Sequence, residues 1–222
     1  MATRRENVIL QIKKVIAIDL PPMEHAAKEY GYPYIPLPEI VKYVRDNDNV
    51  DVLETFVSVI RKTPTDDSEE SLGNVYTQFF KKSYALQMCG ARVIECPSKS
   101  SSNCLSGYKQ SDDQRLMLKT LVYSLKCRPD YVTLFAADGD FAPLIEILRD
   151  EGIRTEVVGP AGNTASDLRR LAYNYIDYNE VLKEIENKYW MGGAINPRNY
   201  INEDTQLNNP VIVSKPGEDD AN

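Results

Sequence analysis

The chain has 222 residues, of which 42% are hydrophobic and 27% are charged, and its formal net charge is −7. This length suits one α/β domain with short extensions, and no apolar run approaches the length of a membrane span, so we expect a cytoplasmic protein with no membrane partner. The four cysteines form no Cys-x-x-Cys pair and His25 is the single histidine, which disfavours a zinc site and leaves little basis for Ser-His or Cys-His catalysis.

The negative charge is concentrated in two segments. Four acids lie between residues 66 and 70, and the stretch from Glu203 onward carries five acids against Lys215, a net of −4. Without these eight charges, the rest of the chain has a net charge of +1. The acidic total therefore does not exclude a nucleic-acid partner, although a strong general DNA binder would show a clear basic surplus.

Apolar runs and helical periodicity alternate along the chain. The predicted strands lie at residues 13–19, 55–60, 91–96, 131–137, 153–158 and 175–176. The predicted helices lie at residues 23–30, 37–45, 75–88, 111–126, 141–150, 166–171 and 178–188. Such alternation predicts an α/β protein, a three-layer α/β/α sandwich around a mostly parallel, Rossmann-like sheet.

The remaining segments predict loops and extensions. Residues 63–71 and 97–103 are acidic or Ser-rich and predict loops, and the chain turns polar near Gly192. We therefore expect an N-terminal extension at 1–12, one domain at 13–190, and a polar disordered tail at 191–222.

Asp138-Gly-Asp140 stands at the centre of this pattern. It follows the apolar run 131–137, and helical spacing resumes at Phe141. Open α/β sheets bind ligands at the carboxyl ends of their strands, which is where these two acids are expected. Two acids that flank a glycine predict half of a cation site.

Other acids are predicted at the same edge of the sheet. Asp19 ends the first strand, and Asp112 and Asp113 open the helix at 111–126. Carboxylates from separate segments repel one another unless a cation neutralises them, and oxygen-only ligands select hard ions such as Mg²⁺ or Mn²⁺. Such a site can activate water and stabilise charge on a phosphate.

Each acid also has a purely structural interpretation. Asp19 could cap the next helix, Asp112 and Asp113 could interact with the helix dipole, and Asp140 could be an N-cap. These alternatives stay open from the sequence.

The sequence resembles the NYN domain, a family of PIN-like nucleases, over roughly residues 13–180. The segments that carry the resemblance are Val-Ile-Ala-Ile-Asp19, Lys109-Gln-Ser-Asp-Asp113, Ala-Ala-Asp138-Gly-Asp140-Phe-Ala-Pro-Leu, Glu151-Gly-Ile and Ser166-Asp-Leu. The resemblance implies a Rossmann-like (PIN-like) α/β/α fold and Mg²⁺- or Mn²⁺-dependent hydrolysis of RNA phosphodiester bonds by activated water. Asp19, Asp113, Asp138 and Asp140 match the acidic quartet of the family, and the resemblance implies that they are both its metal ligands and its catalytic residues.

Two positions depart from the family pattern. The family usually has an Asn soon after the first acid, where this chain has Leu20-Pro21-Pro22, and it often has a further acid in the helix after the second acid, where Lys119 stands. The alternative function is therefore a degenerate NYN-like domain that binds RNA or a protein partner.

Contacts with an RNA substrate, single-stranded or structured, are predicted for a further set of side chains. Tyr30, Tyr32 and Tyr34 could stack bases, or could cover the core. The candidate substrate-binding residues are Lys109, Asp112, Arg115, Lys119 and Ser166. A protein partner or a homo-oligomer is also compatible with the sequence.

Two other enzyme classes fit poorly. A phosphatase that forms an aspartyl-phosphate would need Asp-x-Asp after the first strand, where Asp19 is followed by Leu-Pro. A nicotinamide enzyme would need a Gly-rich turn there, and none is present.

Overall fold

The computed structural model describes residues 11–62, 69–100, 108–109 and 112–190. The expected tail at 191–222 and nearly all of the expected N-terminal extension lie outside the described residues. The strands are β1 (Ile12–Asp19), β2 (Val50–Arg61), β3 (Arg92–Pro97), β4 (Lys99–Ser100), β5 (Tyr108–Lys109), β6 (Tyr131–Phe135), β7 (Arg154–Gly159) and β8 (Asn174–Asp177). The helices are α1 (Leu20–Tyr30), α2 (Leu37–Asp48), α3 (Glu69–Met88), α4 (Asp112–Cys127), α5 (Ala142–Asp150), α6 (Ser166–Leu171) and α7 (Tyr178–Ile185).

Six of these strands form one parallel sheet in the order β3-β2-β1-β6-β7-β8. The chain builds outward from β1 to β3, then returns to the centre and builds outward from β6 to β8. The strand order therefore reverses between β1 and β6, which is the point where open α/β sheets form their ligand crevice. β4 and β5 pair separately as a short antiparallel ribbon.

Helices cover both faces of the sheet, because successive residues of a buried parallel strand point to opposite sides. In β1, Ile16 and Ile18 pack into the core that contains the apolar faces of α1, α2, α3 and α7. Val15 and Ala17 pack into the opposite core, with α4, α5 and α6. The three-layer α/β/α PIN-like fold predicted from the sequence is confirmed.

Polar contacts fix the register of the central strands at the amino end of the sheet. The backbone N–H of Lys13 donates to Oδ2 of Asp130 at 2.8 Å, and the N–H of Asp130 donates to the carbonyl of Lys13 at 2.8 Å. Lys14 is 3% exposed and its ammonium lies 2.8 Å from Oε2 of Glu156, which also accepts from the hydroxyl of Thr133 at 3.0 Å. A buried ammonium needs such a partner, so this pair ties β1 to β7 across β6.

Several element boundaries differ from the sequence-based expectations. α1 begins directly at Leu20, because Pro21 and Pro22 fall in its first turn, where proline is tolerated. α3 begins at Glu69, inside the segment 63–71 that was predicted as a loop. Within the Ser-rich segment, Lys99 and Ser100 form strand β4.

Candidate metal centre

An open cleft of about 500 Å³ lies at the carboxyl edge of the sheet, where the strand order reverses. Asp19, at the end of β1, and Asp138, three residues past β6, enter it from neighbouring strands. Asp113 enters from the first turn of α4. The topology therefore brings together acids that are far apart in sequence.

Three carboxylates form the compact part of this site. One oxygen from each of Asp113, Asp138 and Asp140 lies within 4.8 Å of the others. A hard divalent cation with metal–oxygen distances of about 2.1 Å spans ligand oxygens up to roughly 4.2 Å apart. Oxygens at adjacent positions of such an ion lie closer, about 3.0 Å apart, so the three carboxylates would close around a bound cation. An oxygen-only donor set suits Mg²⁺ or Mn²⁺ better than zinc or copper.

The loop geometry orients Asp138. Its carboxylate oxygen Oδ1 accepts the backbone N–H of Asp140 at 3.1 Å and so caps the single 3₁₀ turn Gly139–Phe141. The interpretation of Asp140 as an N-cap is wrong, because Asp138 fills that role and Asp140 lies inside the turn. The cap uses Oδ1 and leaves Asp138 a second oxygen that can bind a cation.

Asp19 lines the cleft but does not belong to the group defined by the 4.8 Å distances. It occupies the N-cap position of α1 without making a side-chain capping hydrogen bond. An N-cap side chain normally accepts from the second or third N–H of its helix, and these positions are Pro21 and Pro22, which have no N–H. The cap interpretation of Asp19 is therefore wrong, because the two prolines remove the donors that would bind its carboxylate.

Ser58 of β2 contacts the buried Asp19 side chain, which is 4% exposed. Its hydroxyl accepts the N–H of Leu20 at 3.3 Å and lies 3.4 Å from both the Ile18 carbonyl and Oδ1 of Asp19. The sequence reasoning missed Ser58. A polar residue inside the apolar run Thr55-Phe-Val-Ser58-Val-Ile60 is the signal that could have revealed it.

Asn163 is a second residue that the sequence reasoning missed. It is exposed and lines the cleft from the turn between β7 and α6. The N–H of Ala165 donates to the carbonyl of Ala137 at 2.9 Å, and this bond ties the end of that turn to the segment that carries Asp138. The Pro160-Ala-Gly-Asn163 turn directly after a buried strand is the sequence signal.

A close approach fixes the same turn. A Cβ on Gly159 would overlap with Oγ1 of Thr164 and lie 2.7 Å from the carbonyl oxygen of Ala136. The hydroxyl of Thr164 in turn donates to the carbonyl of Pro160 at 2.8 Å. Glycine is required at 159 because the backbone directly after β6 and the turn after β7 meet there.

The candidate substrate-binding residues are spread over several surfaces. The guanidinium of Arg115 donates to the carbonyl of Glu95 on β3 at 2.8 Å. Lys119 is exposed, and six residues after Asp113 it lies about 240° around the helix axis, away from the cleft-facing side. Ser166 is the exposed first residue of α6, next to Ala165 in the cleft wall.

The other candidates are described only through their backbones. Lys109 lies in β5 and Asp112 opens α4, and their side chains lie outside the described part of the structure.

The predicted tyrosines have different environments. Tyr32 is 1% exposed and stacks on Tyr30 at a ring-centroid distance of 5.7 Å, whereas Tyr34 is 56% exposed. Tyr32 therefore covers the core. His25 is exposed on α1 and lies 3.3 Å from Glu29, in an ordinary helical pair.

Comparison with known proteins agrees with this fold and cleft. The sequence matches the NYN domain over residues 14–186. A segment of 57 residues is 40% identical to the low amplitude and bright protein LabA of Synechococcus elongatus, and covers 26% of this chain and 31% of LabA. The match thus spans about a third of the length of that relative.

A solved structure shares the overall architecture. The crystal structure of a protein of unknown function from Vibrio parahaemolyticus, VPA0982, superposes with a TM-score of 0.55 at 18% identity, over 77% of this chain and 95% of that one. At this identity the likeness concerns the fold alone.

The fold is that of the PIN-like class of proteins, and the cleft holds a cluster of three acids. The chain belongs to the NYN domain family, because the family match covers most of its length. Within the described residues, no helix is both long enough and apolar enough to cross a membrane.

Proposed function

We propose that this protein is a Mg²⁺- or Mn²⁺-dependent ribonuclease that hydrolyses RNA phosphodiester bonds in the cleft between β1 and β6. The observation that carries the proposal is the approach of Asp113, Asp138 and Asp140 within 4.8 Å, from a helix start and a strand end that fold together at the switch point of the sheet. Three clustered carboxylates without a cation repel one another, so the arrangement favours a bound divalent ion.

The side chains have distinct roles in this proposal. Asp113, Asp138 and Asp140 hold the cation, and the 3₁₀ turn keeps Asp138 oriented. A bound Mg²⁺ or Mn²⁺ would supply activation of a water molecule and neutralisation of charge on the scissile phosphate. Asp19, which makes no helix-capping bond, faces the same space, where its charge would contribute to binding of the cation and its carboxylate is placed to orient that water.

Asn163 provides a polar, uncharged group in the wall of the cleft. Its side-chain amide can donate to a phosphate oxygen of the substrate, and it does not add to the negative charge. The amide of Asn163 thus partly replaces the Asn that the family carries after its first acid.

Metal binding and RNA cleavage test the proposal together. We expect calorimetry to show Mn²⁺ binding by the wild type, and a loss of at least 10-fold in both affinity and cleavage rate in Asp138→Asn, because one carboxylate ligand is removed. Asp150→Asn is the matched control, because Asp150 is an exposed acid at the far end of α5 and its loss changes the net charge equally.

The outcomes separate the two functions. If the wild type and Asp138→Asn bind no Mn²⁺ and cleave no RNA, the ribonuclease proposal fails and the alternative, a degenerate RNA- or protein-binding module, replaces it. If Mn²⁺ binds normally in Asp138→Asn, the assignment of the metal ligands is wrong.

A further inference from the structure

Helix α3 carries apolar side chains on its exposed face. We define the α3 stripe as the residues Leu72, Tyr76, Phe80, Tyr84 and Met88. Their exposed fractions are 36%, 40%, 61%, 64% and 70%, respectively. They recur every four residues, so they form one ridge along the helix. Buried residues such as Phe79 and Leu86 already form the core side of the helix, so packing among the described residues does not account for the stripe.

A groove runs beside the stripe. It has a volume of about 620 Å³ and lies between α3 and the edge strand β3, with Phe80 and Tyr84 on one wall and Val93 and Glu95 on the other. At its base, the buried hydroxyl of Ser83 has no hydrogen-bond partner among the described residues. A ridge next to a groove is the surface shape by which two helices interdigitate.

We propose that the α3 stripe is the interface of a homodimer, in which the ridge of one copy packs into the groove of the other. The stripe is symmetric about Phe80. A twofold axis beside Phe80 lets the two ridges interdigitate and brings Tyr76 of one copy near Tyr84 of the second copy, whereas Leu72 and Met88 lie about 160° apart around the helix axis and flank this contact. Ridges with a spacing of four residues pack into each other at crossing angles near −50°, the most common arrangement of helix pairs, and self-complementary contacts of this kind generate closed dimers.

The exposed area of the α3 stripe is consistent with a second copy of the chain as its partner. Large aromatic side chains bury about 150–250 Å² each, so the exposed parts of the stripe offer roughly 500 Å² per copy. A specific interface buries about 800 Å² per partner, and the groove walls on β3 supply the remainder. The stripe also reaches the upper range of apolar patches that monomers leave exposed, about 300–600 Å².

The charges beside the stripe also favour a second copy. Lys81 and Glu95 line the same groove, so each copy presents one positive and one negative charge there. Glu95 already pairs with Arg61 at 2.5 Å, and the guanidinium of Arg61 lies 5.1 Å from the ring of Tyr76. These pairs form a polar rim around an apolar centre, which is the usual anatomy of a protein–protein interface.

The dimer leaves the cleft accessible. β3 is an edge strand, whereas the cleft opens between β1 and β6, with β2 in between. The interface and the candidate metal centre are therefore separate surfaces, and this inference does not depend on the ribonuclease activity.

Analytical ultracentrifugation of the full chain tests the inference. We expect the wild type to sediment as a dimer at micromolar concentration, and Phe80→Ser/Tyr84→Ser to raise the dimer dissociation constant at least 100-fold, because both residues occupy the centre of the interface.

The matched control is Leu118→Ser/Val122→Ser on α4. These two apolar side chains are also exposed, at 62% and 49%, and are also four residues apart. This variant should remain dimeric, and circular dichroism should show that both double variants melt as folded proteins.

Three results would overturn the inference. The first is a monomeric wild type at 100 μM or above, and the second is an unchanged dimer in Phe80→Ser/Tyr84→Ser. The third is a monomeric wild type whose affinity for single-stranded RNA falls in that variant, which would assign the stripe to base stacking instead.

Discussion

The hydroxyl of Ser58 lies 3.4 Å from Oδ1 of Asp19, across the β1–β2 pair. Both side chains are buried, and the hydroxyl also accepts the N–H of Leu20. This contact orients the first acid from a neighbouring strand, although the chain lacks the Asn that NYN domains usually place after that acid.

Removal of the Ser58 hydroxyl should weaken the metal site without removing an acid. We expect Ser58→Ala to lower the affinity for Mn²⁺ about 10-fold, because groups that hold a metal-site carboxylate in place typically have effects of this size. Calorimetry measures the affinity. The control is Ser83→Ala, a buried serine whose hydroxyl has no partner among the described residues and which should leave Mn²⁺ affinity unchanged. An unchanged affinity in Ser58→Ala would show that the contact does not orient Asp19.

Prolines at the start of α1 should keep Asp19 available to the cleft. In Pro21→Ala/Pro22→Ala, backbone N–H groups return to the positions that an N-cap side chain binds. A capping bond contributes about 1 kcal/mol, so its competition for the carboxylate should lower Mn²⁺ affinity about 5-fold. Titration calorimetry would detect this change.

Pro38→Ala provides the comparison. It makes the same substitution in the first turn of α2, whose N-cap residue, Pro36, has no side-chain acceptor. It should leave Mn²⁺ affinity unaltered, and an equal loss in both variants would point to a general effect of proline removal.

The close approach at Gly159 should make even a methyl group costly. Its Cβ would meet Thr164 and the Ala136 carbonyl well inside contact distance, so Gly159→Ala should reduce the free energy of unfolding by about 1–3 kcal/mol. Urea denaturation measures this. Gly162→Ala lies in the same turn, but its methyl group would have nothing within 4 Å, so it should change the free energy of unfolding by less than about 0.5 kcal/mol. Equal effects would mean that the turn is not constrained at 159.

The buried Tyr178 hydroxyl should be a source of instability. It has no partner among the described residues, and burial raises the pKa of Tyr178. Because an unsatisfied buried polar group costs about 1–3 kcal/mol, Tyr178→Phe should raise the free energy of unfolding by about 1 kcal/mol. Tyr32→Phe in the same core should do the opposite, since the Tyr32 hydroxyl donates to the carbonyl of Leu182 at 3.2 Å.

The raised pKa of Tyr178 also predicts a pH dependence. In the unfolded chain the tyrosine ionises near pH 10, as free tyrosine does, whereas in the folded protein it stays neutral at that pH. The free energy of unfolding of the wild type should therefore fall as the pH rises above that value. The free energy of unfolding of Tyr178→Phe should fall by a smaller amount. Urea denaturation at pH 8 and pH 10.5 measures the difference, and parallel losses in both proteins would contradict it.

Most of the fold could be predicted because its signals are local. The apolar run before Asp138 and the helical spacing after Phe141 each reflect one element packed against its neighbours. The sequence does not predict the start of α1, because two prolines such as Pro21 and Pro22 can end a strand and also suit a first helical turn.

The site was only partly predictable for a physical reason. The acids could be placed at one edge of the sheet because the carboxyl ends of parallel strands all lie at that edge. Ser58 and Asn163 act through contacts between segments, and no periodicity in either segment encodes such a contact. Asp138, and not Asp140, is the N-cap because the chain forms a 3₁₀ turn at residues 139–141. The sequence pattern of this turn does not differ from that of a first α-helical turn.

The pairing of β1 with β6 determines when the cleft can form. Lys13 and Asp130 exchange hydrogen bonds across 117 positions of the chain, and no strand between them in sequence lies between them in the sheet. Closing so long a loop slows folding. During synthesis, β1 has no β6 with which to pair until residue 135 has emerged. The growing chain therefore cannot assemble the acidic cleft before the segment Asp138-Gly-Asp140 has been translated.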